Sequence, residues 1–146
     1  MEKNEKQEGV MTEADTSREF VTPKLVHAGW SSAPHSIGEQ RTFTNGRIIV
    51  AGGKVRRGQQ KRADYLLYYR RDYPLAVVEV KSIALPAENG VQQAREYAKI
   101  LGLKFAYATN GHKIIEIDYT AGTERFVDHY PSPNELYERK VATKST

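Results

Sequence analysis

Two runs near the middle of the chain, Ala63-Asp64-Tyr65-Leu66-Leu67-Tyr68-Tyr69 and Leu75-Ala76-Val77-Val78-Glu79-Val80-Lys81, are rich in aromatic and branched residues. Such side chains fit a pleated surface, and the interval Arg70-Arg71-Asp72-Tyr73-Pro74 suits a turn, so the pattern predicts a hairpin. The second run is apolar on both faces before it reaches Glu79, the mark of a central, covered strand. Downstream, Val91, Ala94, Ala98 and Leu101 recur at three- and four-residue spacing and predict a helix over Glu88–Leu101, ended by Gly102. Phe105–Ala108 and Ile114–Ile117 predict a second hairpin, turning at Asn110-Gly111.

Upstream, Thr12 and Asp15 form a capping-box pattern that opens a helix to about Ala28, stopped by Gly29 and kinked by Pro23. Trp30 to Gln40 reads as loop. Arg47–Ala51 reads as a short strand entered from a turn at Asn45-Gly46, and residues 132–138 as a short last helix. Residues 1–11 are polar and aperiodic and are expected to be disordered. This leaves one domain over residues 12–138 and a tail over 139–146.

The candidate chemistry follows from the alternation. Leu75, Val77, Glu79 and Lys81 share one strand face, and Ala76, Val78 and Val80 share the other. Placing Asp64 opposite Glu79 in the hairpin centres the turn between Arg71 and Asp72, inside the segment already read as a turn. Opposed side chains project from one face with Cβ atoms about 4.5–5.5 Å apart, and like charges so placed destabilise a sheet. A cation between them removes the conflict, and oxygen ligands on a rigid sheet suit Mg²⁺, with phosphate oxygens and water completing its shell. On an exposed strand a Glu and a Lys two residues apart would be a solvated pair worth little. A covered strand and an acid in register argue for a site. Gln93 and Tyr97, four apart at the border of the helix's apolar face, can hang over the strand end, where the amide could hold a phosphate or a metal-bound water.

Composition narrows the class. The 146 residues, 39% of them hydrophobic, make one ordinary core. There is no cysteine, which excludes disulfides, thiolate zinc sites and a cysteine nucleophile and fits a reducing compartment. His27, His35, His112 and His129 show no metal-ligand spacing. No apolar stretch approaches the roughly 20 residues needed to cross a bilayer. A cytoplasmic protein with no membrane partner is expected. The net charge of +4 hides an asymmetry: residues 1–20 hold six acids against three bases, and residues 40–72 hold nine bases against Asp64 and Asp72. Lys54, Arg56, Arg57, Lys61 and Arg62 flank Gly58 in a segment expected to be a mobile loop, leading into Asp64. Cations there can displace counterions from a nucleic-acid backbone.

The order Asp64, then Glu79-x-Lys81, then Gln93-x-x-x-Tyr97 resembles the PD-(D/E)xK nuclease superfamily, in the version with a Gln-x-x-x-Tyr element. Stretches around Glu19–Trp30, Lys61–Lys81, Gln92–Thr109, Asn110-Gly111-His112 and Tyr130-Pro131-Ser132-Pro133 resemble, more closely, the N-terminal endonuclease domain of the restriction (motor) subunit of type I restriction-modification enzymes. The resemblance covers roughly Glu13 to Tyr137. It departs from the superfamily pattern only in Ala63, which stands where the superfamily name implies Pro and contributes no ligand.

The resemblance implies an α/β, restriction-endonuclease-like fold, with a mixed central β-sheet flanked by helices. It implies Mg²⁺, with Mn²⁺ as substitute, on Asp64, Glu79 and the Val80 main-chain carbonyl. Lys81 would orient or help deprotonate the attacking water, Gln93 and Tyr97 would form a phosphate-side pair, and Glu19 would hold a metal-bound water. The implied activity is that of a metal-dependent type I site-specific deoxyribonuclease acting on double-stranded DNA, with motor, modification and specificity subunits as partners. The chain has no Gly-Lys-Ser/Thr phosphate loop, so it is not expected to be the ATPase motor. Two alternatives remain: a stand-alone recombination or repair nuclease of this fold, and a non-catalytic DNA-binding module.

Overall fold

The computed structural model describes residues 11–44, 48–51, 54–57 and 60–144, with side chains described for 11–44 and 60–142. A helical run opens the fold as α1 (Glu13–Thr16), a π-helical segment (Ser17–Val21) and α2 (Thr22–His27). Thr12 and Asp15 make the expected reciprocal capping box. Pro23 lacks a backbone N–H and its ring crowds the carbonyl four residues back, and the chain widens to π geometry just before it.

The strands are β1 (Ser36–Thr44), β2 (Ile48–Ala51), β3 (Lys54–Arg57), β4 (Gln60–Arg70), β5 (Tyr73–Val80), β6 (Phe105–Thr109), β7 (Ile114–Asp118) and β8 (Thr123–Val127). Six of them form one mixed sheet in the order β1-β4-β5-β6-β7-β8, with β5 and β6 parallel and the remaining pairs antiparallel. β2 and β3 form a separate two-stranded ribbon. The β5–β6 crossover carries a 3₁₀ turn (Ala87–Gly90) and α3 (Val91–Leu101); α4 (Pro133–Lys144) closes the chain. Gly102 caps α3 at φ 71°, with N–H bonds from Gly102 and Leu103 back to the carbonyls of Lys99 and Ala98.

Two hydrophobic layers sandwich the sheet. On one side Val21, Leu25, Trp30, Tyr130 and Leu136 pack against Tyr65, Leu67, Val78 and Val80. On the other, Ala94, Tyr97 and Ala98 of α3 pack against Leu66, Val77 and Ala106. Every residue from Leu75 to Val80 is buried, as a central strand between two helical layers must be.

Several expectations need correcting. Ser36–Gln40 belongs to edge strand β1, not to a loop. Its side chains are mostly exposed, so the backbone ladder to β4 holds it without an apolar signature. Lys54–Arg57 is a strand paired with Ile48–Ala51 rather than a mobile loop, although its side chains lie outside the described residues. The Asn45-Gly46 turn and residues 1–10 also lie outside them. Leu75 joins Ala76 and Val78 on the α2 side because the β4–β5 register shifts twice between Leu67 and Arg70, which breaks strict alternation there. α4 runs on to Lys144, beyond the expected boundary at residue 138. β8, mostly exposed, has no counterpart among the predicted elements.

Candidate active site

β4 and β5 pair as Tyr65–Val78, Leu66–Val77 and Leu67–Ala76, the register that sets Asp64 against Glu79. The turn falls at Arg71-Asp72, with Asp72 left-handed at φ 59°. The backbone ladder stops at Tyr65–Val78, and beyond it side chains take over. Val80 N–H donates to Asp64 Oδ2 at 2.7 Å, and Asp64 N–H donates to Glu79 Oε2 at 3.3 Å. Asp64 Oδ1 lies 3.5 Å from Gln40 Nε2, a long contact, and the Asp64 carboxylate also bonds the Glu79 carboxyl.

Glu79 is 3% exposed. Burial first, and the neighbouring Asp64 charge second, push its carboxyl up to about 9, so it carries a proton at neutral pH. Lys81, just past the end of β5, offsets little of this. Its side-chain stem passes close to Gly90 at the start of α3, where a Cβ would come 3.6 Å from Lys81 Cγ. From α3, Gln93 Nε2 donates to Tyr97 Oη at 2.6 Å, and the Tyr97 ring meets Phe43 edge-on at 5.0 Å between centroids.

These groups open into one cavity of about 930 Å³, lined by Asp64, Glu79, Val80, Lys81, Gln93 and Tyr97, and by Lys61 and Arg62 at the start of β4. Glu19 is exposed and does not line it; Glu13 does. Glu19 lies in the π-helical segment with its side chain in solvent, whereas Glu13 opens the helical run beside the cavity. Glu39, Gln40, Gln60, Ser17, Arg18 and Thr22 also line the cavity. Sequence reasoning missed them, since β1 has no strand signature and its neighbours carry ordinary polar side chains.

Among the described residues no three His, Cys, Asp or Glu side chains cluster as a metal site. The donor set nonetheless fits a hard divalent cation. Two carboxylates on adjacent strands hold a costly proton, with one oxygen of Asp64 and one of Glu79 taken by backbone N–H groups. Mg²⁺ needs only one or two carboxylates when carbonyl, water and phosphate oxygens complete its shell.

The fold is therefore an α/β domain with a mixed six-stranded sheet flanked by helices, carrying a carboxylate-lined cavity at the end of its central strand. Residues 39–131 match the family described as type I restriction enzyme R protein N terminus, and the chain belongs to that family. It is 36% identical over 135 residues to the type I restriction enzyme EcoAI endonuclease subunit of Escherichia coli, covering 88% of this chain and 16% of that protein. A solved fragment of an HsdR subunit of a type I restriction enzyme from Vibrio vulnificus YJ016 superposes with a TM-score of 0.83 at 54% identity. That match covers 93% of this chain and 26% of the solved one. The chain thus spans a minor part of the length of either relative.

Proposed function

We propose that this domain is the DNA-cleaving part of a type I restriction subunit, hydrolysing phosphodiester bonds of double-stranded DNA with Mg²⁺, for which Mn²⁺ can substitute. The observation that carries the reading is the contact between Asp64 and Glu79 on one face of the sheet, in the cavity that also receives Lys81, Gln93 and Tyr97. Family membership supports it, because the E. coli relative is named an endonuclease subunit.

Asp64, Glu79 and the Val80 carbonyl would hold the cation. When bound, it supplies Lewis-acid polarisation of a phosphate oxygen and lowers the pKa of water. Glu79 gives up its proton on binding, and the Val80 N–H fixes which Asp64 oxygen faces inward. The Lys81 ammonium orients the attacking water and stabilises charge developing on the phosphoryl oxygens, an effect worth on the order of 10²–10³ in rate for one well-placed group. Gln93, held by the Tyr97 hydroxyl, positions a non-bridging oxygen of the same phosphate. Lys61 and Arg62 at the cavity wall, with Lys54, Arg56 and Arg57 of the β3 ribbon, bind flanking phosphates without reading sequence.

Delivery of DNA would fall to the motor, modification and specificity subunits of a restriction assembly working in the cytoplasm. Among the described residues no helix is long and apolar enough to cross a membrane.

Incubation of supercoiled plasmid with this chain and Mg²⁺, beside Asp64→Ala, tests the reading. Conversion to open-circular or linear DNA by the parent chain alone supports it. DNA retardation with no cleavage in Mg²⁺ or Mn²⁺ identifies a binding module instead.

A further inference from the structure

Gln40 is one of two described residues other than glycine with a positive φ, at 53°, and it lies inside a strand. The β1–β4 ladder has Glu39 facing Tyr65 on one side of it and Arg41 facing Ala63 on the other. The register is therefore unbroken, no residue has been inserted, and Gln40 falls opposite Asp64. Phe43 and Ala63 join Leu66 in the layer under α3, so strict face alternation is broken where Gln40 lies opposite Asp64. A left-handed residue in a strand would be least strained as glycine. The kink therefore explains the backbone and leaves the glutamine side chain unexplained.

The side chain supplies the reason. Gln40 lines the cavity, and its Nε2 lies 3.5 Å from Asp64 Oδ1, the one Asp64 oxygen not taken by the Val80 N–H. Asp64 is thereby addressed from both sides, by a backbone donor from β5 and a side-chain amide from β1. We propose that Gln40 is a positioning residue for the candidate cation site: its amide closes on Oδ1 and sets the plane of the Asp64 carboxylate toward Glu79. This inference rests on the reading of Asp64 and Glu79 as cation ligands. It adds to that reading a third strand, and a residue held in a strained conformation for that role. Donors that orient a metal-ligating carboxylate typically change metal affinity on the order of 10–100-fold.

Two variants separate the amide from the kink. Gln40→Gly and Gln40→Ala both remove the amide, but only glycine relieves the positive φ. Mn²⁺ and Mg²⁺ are titrated calorimetrically into the parent chain, both variants and Asp64→Ala, and the metal-free proteins are melted in parallel. The expected result is an affinity loss of about ten-fold, shared by both variants, with Gln40→Gly melting above Gln40→Ala. Parent-like affinity in both variants overturns the positioning role while leaving the cation site standing. So does a loss confined to Gln40→Ala, which would assign the effect to the kink, because glycine keeps the left-handed backbone without strain. If the parent chain itself binds neither metal, the cation reading fails and this inference fails with it.

Discussion

Asp64 Oδ2 accepts the Val80 backbone N–H at 2.7 Å, so the carboxylate of one strand takes up a main-chain donor of the next. Asp64 is at once a candidate ligand and a structural acceptor, and removing it should have two separable effects. Asp64→Ala is expected to abolish cleavage and to destabilise the fold by about 1–3 kcal/mol at pH 6, through the donor left unpaired. Asp64→Asn, which keeps an acceptor oxygen, should abolish cleavage with a smaller loss. Urea denaturation of both variants at pH 6 measures the difference; equal stabilities would remove the structural role.

Glu79 gives the metal-free protein a defined pH response. Its folded-state carboxyl lies near 9 against an ordinary 4.5, so the folded state favours the protonated form. That contribution is full below about pH 4.5 and is lost as pH rises toward 9. Stability of the metal-free chain should fall across this window, and Glu79→Gln, which mimics the protonated acid, should flatten the slope. Cation binding should release close to one proton per ion at neutral pH, read from the buffer dependence of the binding heat. No proton release would place the ion elsewhere.

Tyr97 has two duties that different substitutions separate. Its ring is buried against Phe43 and its hydroxyl holds the Gln93 amide. Tyr97→Phe should keep the melting temperature within a few degrees and slow cleavage by about ten-fold or more, in line with loss of one group that fixes a transition-state interaction. Tyr97→Ala should destabilise by about 3–5 kcal/mol, the range for truncating a buried aromatic ring. Steady-state cleavage and thermal melts of the pair check both outcomes.

Much of this site is legible in the residues, and the reasons are specific. Placing one turn at Arg71-Asp72 gives the Asp64–Glu79 register only because the two register shifts between Leu67 and Arg70 are opposite in sense and cancel before the strands reach Tyr65 and Val78. Gln93 and Tyr97 meet because residues four apart on a helix are neighbours. β1 and β8 escape because edge strands exposed to solvent need no apolar alternation; backbone pairing holds them together with a few packed side chains, Ile37 and Phe43 of β1 and Val127 of β8. Glu19 rests on the resemblance alone, with no signal in the helix pattern, and Glu13 rather than Glu19 lines the cavity. Gln40 carries no signal, since a positive φ at glutamine is imposed by its surroundings and not by its type.

Gly111 couples the first helical run to the sheet. It sits at φ 96°, and a Cβ there would come 2.8 Å from Thr16 Cγ2 and 3.2 Å from Phe20 Cβ. The same turn receives Lys24 Nζ on the Gly111 carbonyl at 2.7 Å. Gly111→Ala combines backbone strain with overlap against these side chains and should cost about 1–3 kcal/mol. Urea denaturation would show it as a lower midpoint with unchanged slope; a parent-like midpoint would mean that the helix is not seated on this turn.

Lys61 and Arg62 supply the electrostatic part of the account. Lys61 lies 3.4 Å from Glu96, an ion pair exposed enough to exchange for a phosphate at small cost. Replacing both cations with alanine should weaken binding to any duplex sequence alike and lower the slope of log affinity against log salt by about 1.8, roughly 0.9 for each phosphate no longer neutralised. Fluorescence anisotropy at several salt concentrations, with Ca²⁺ in place of Mg²⁺, measures it. An unchanged slope would move the DNA path away from this wall.

The claim on which the rest depends is that Asp64 and Glu79 share a divalent cation. Crystals grown or soaked with Mn²⁺ and measured near its absorption edge locate the ion by anomalous scattering. The account predicts a peak within coordination distance of both carboxylates and the Val80 carbonyl, abolished in Asp64→Ala. A well-diffracting, Mn²⁺-saturated crystal with no peak between the two acids, or with its peak elsewhere, would contradict it.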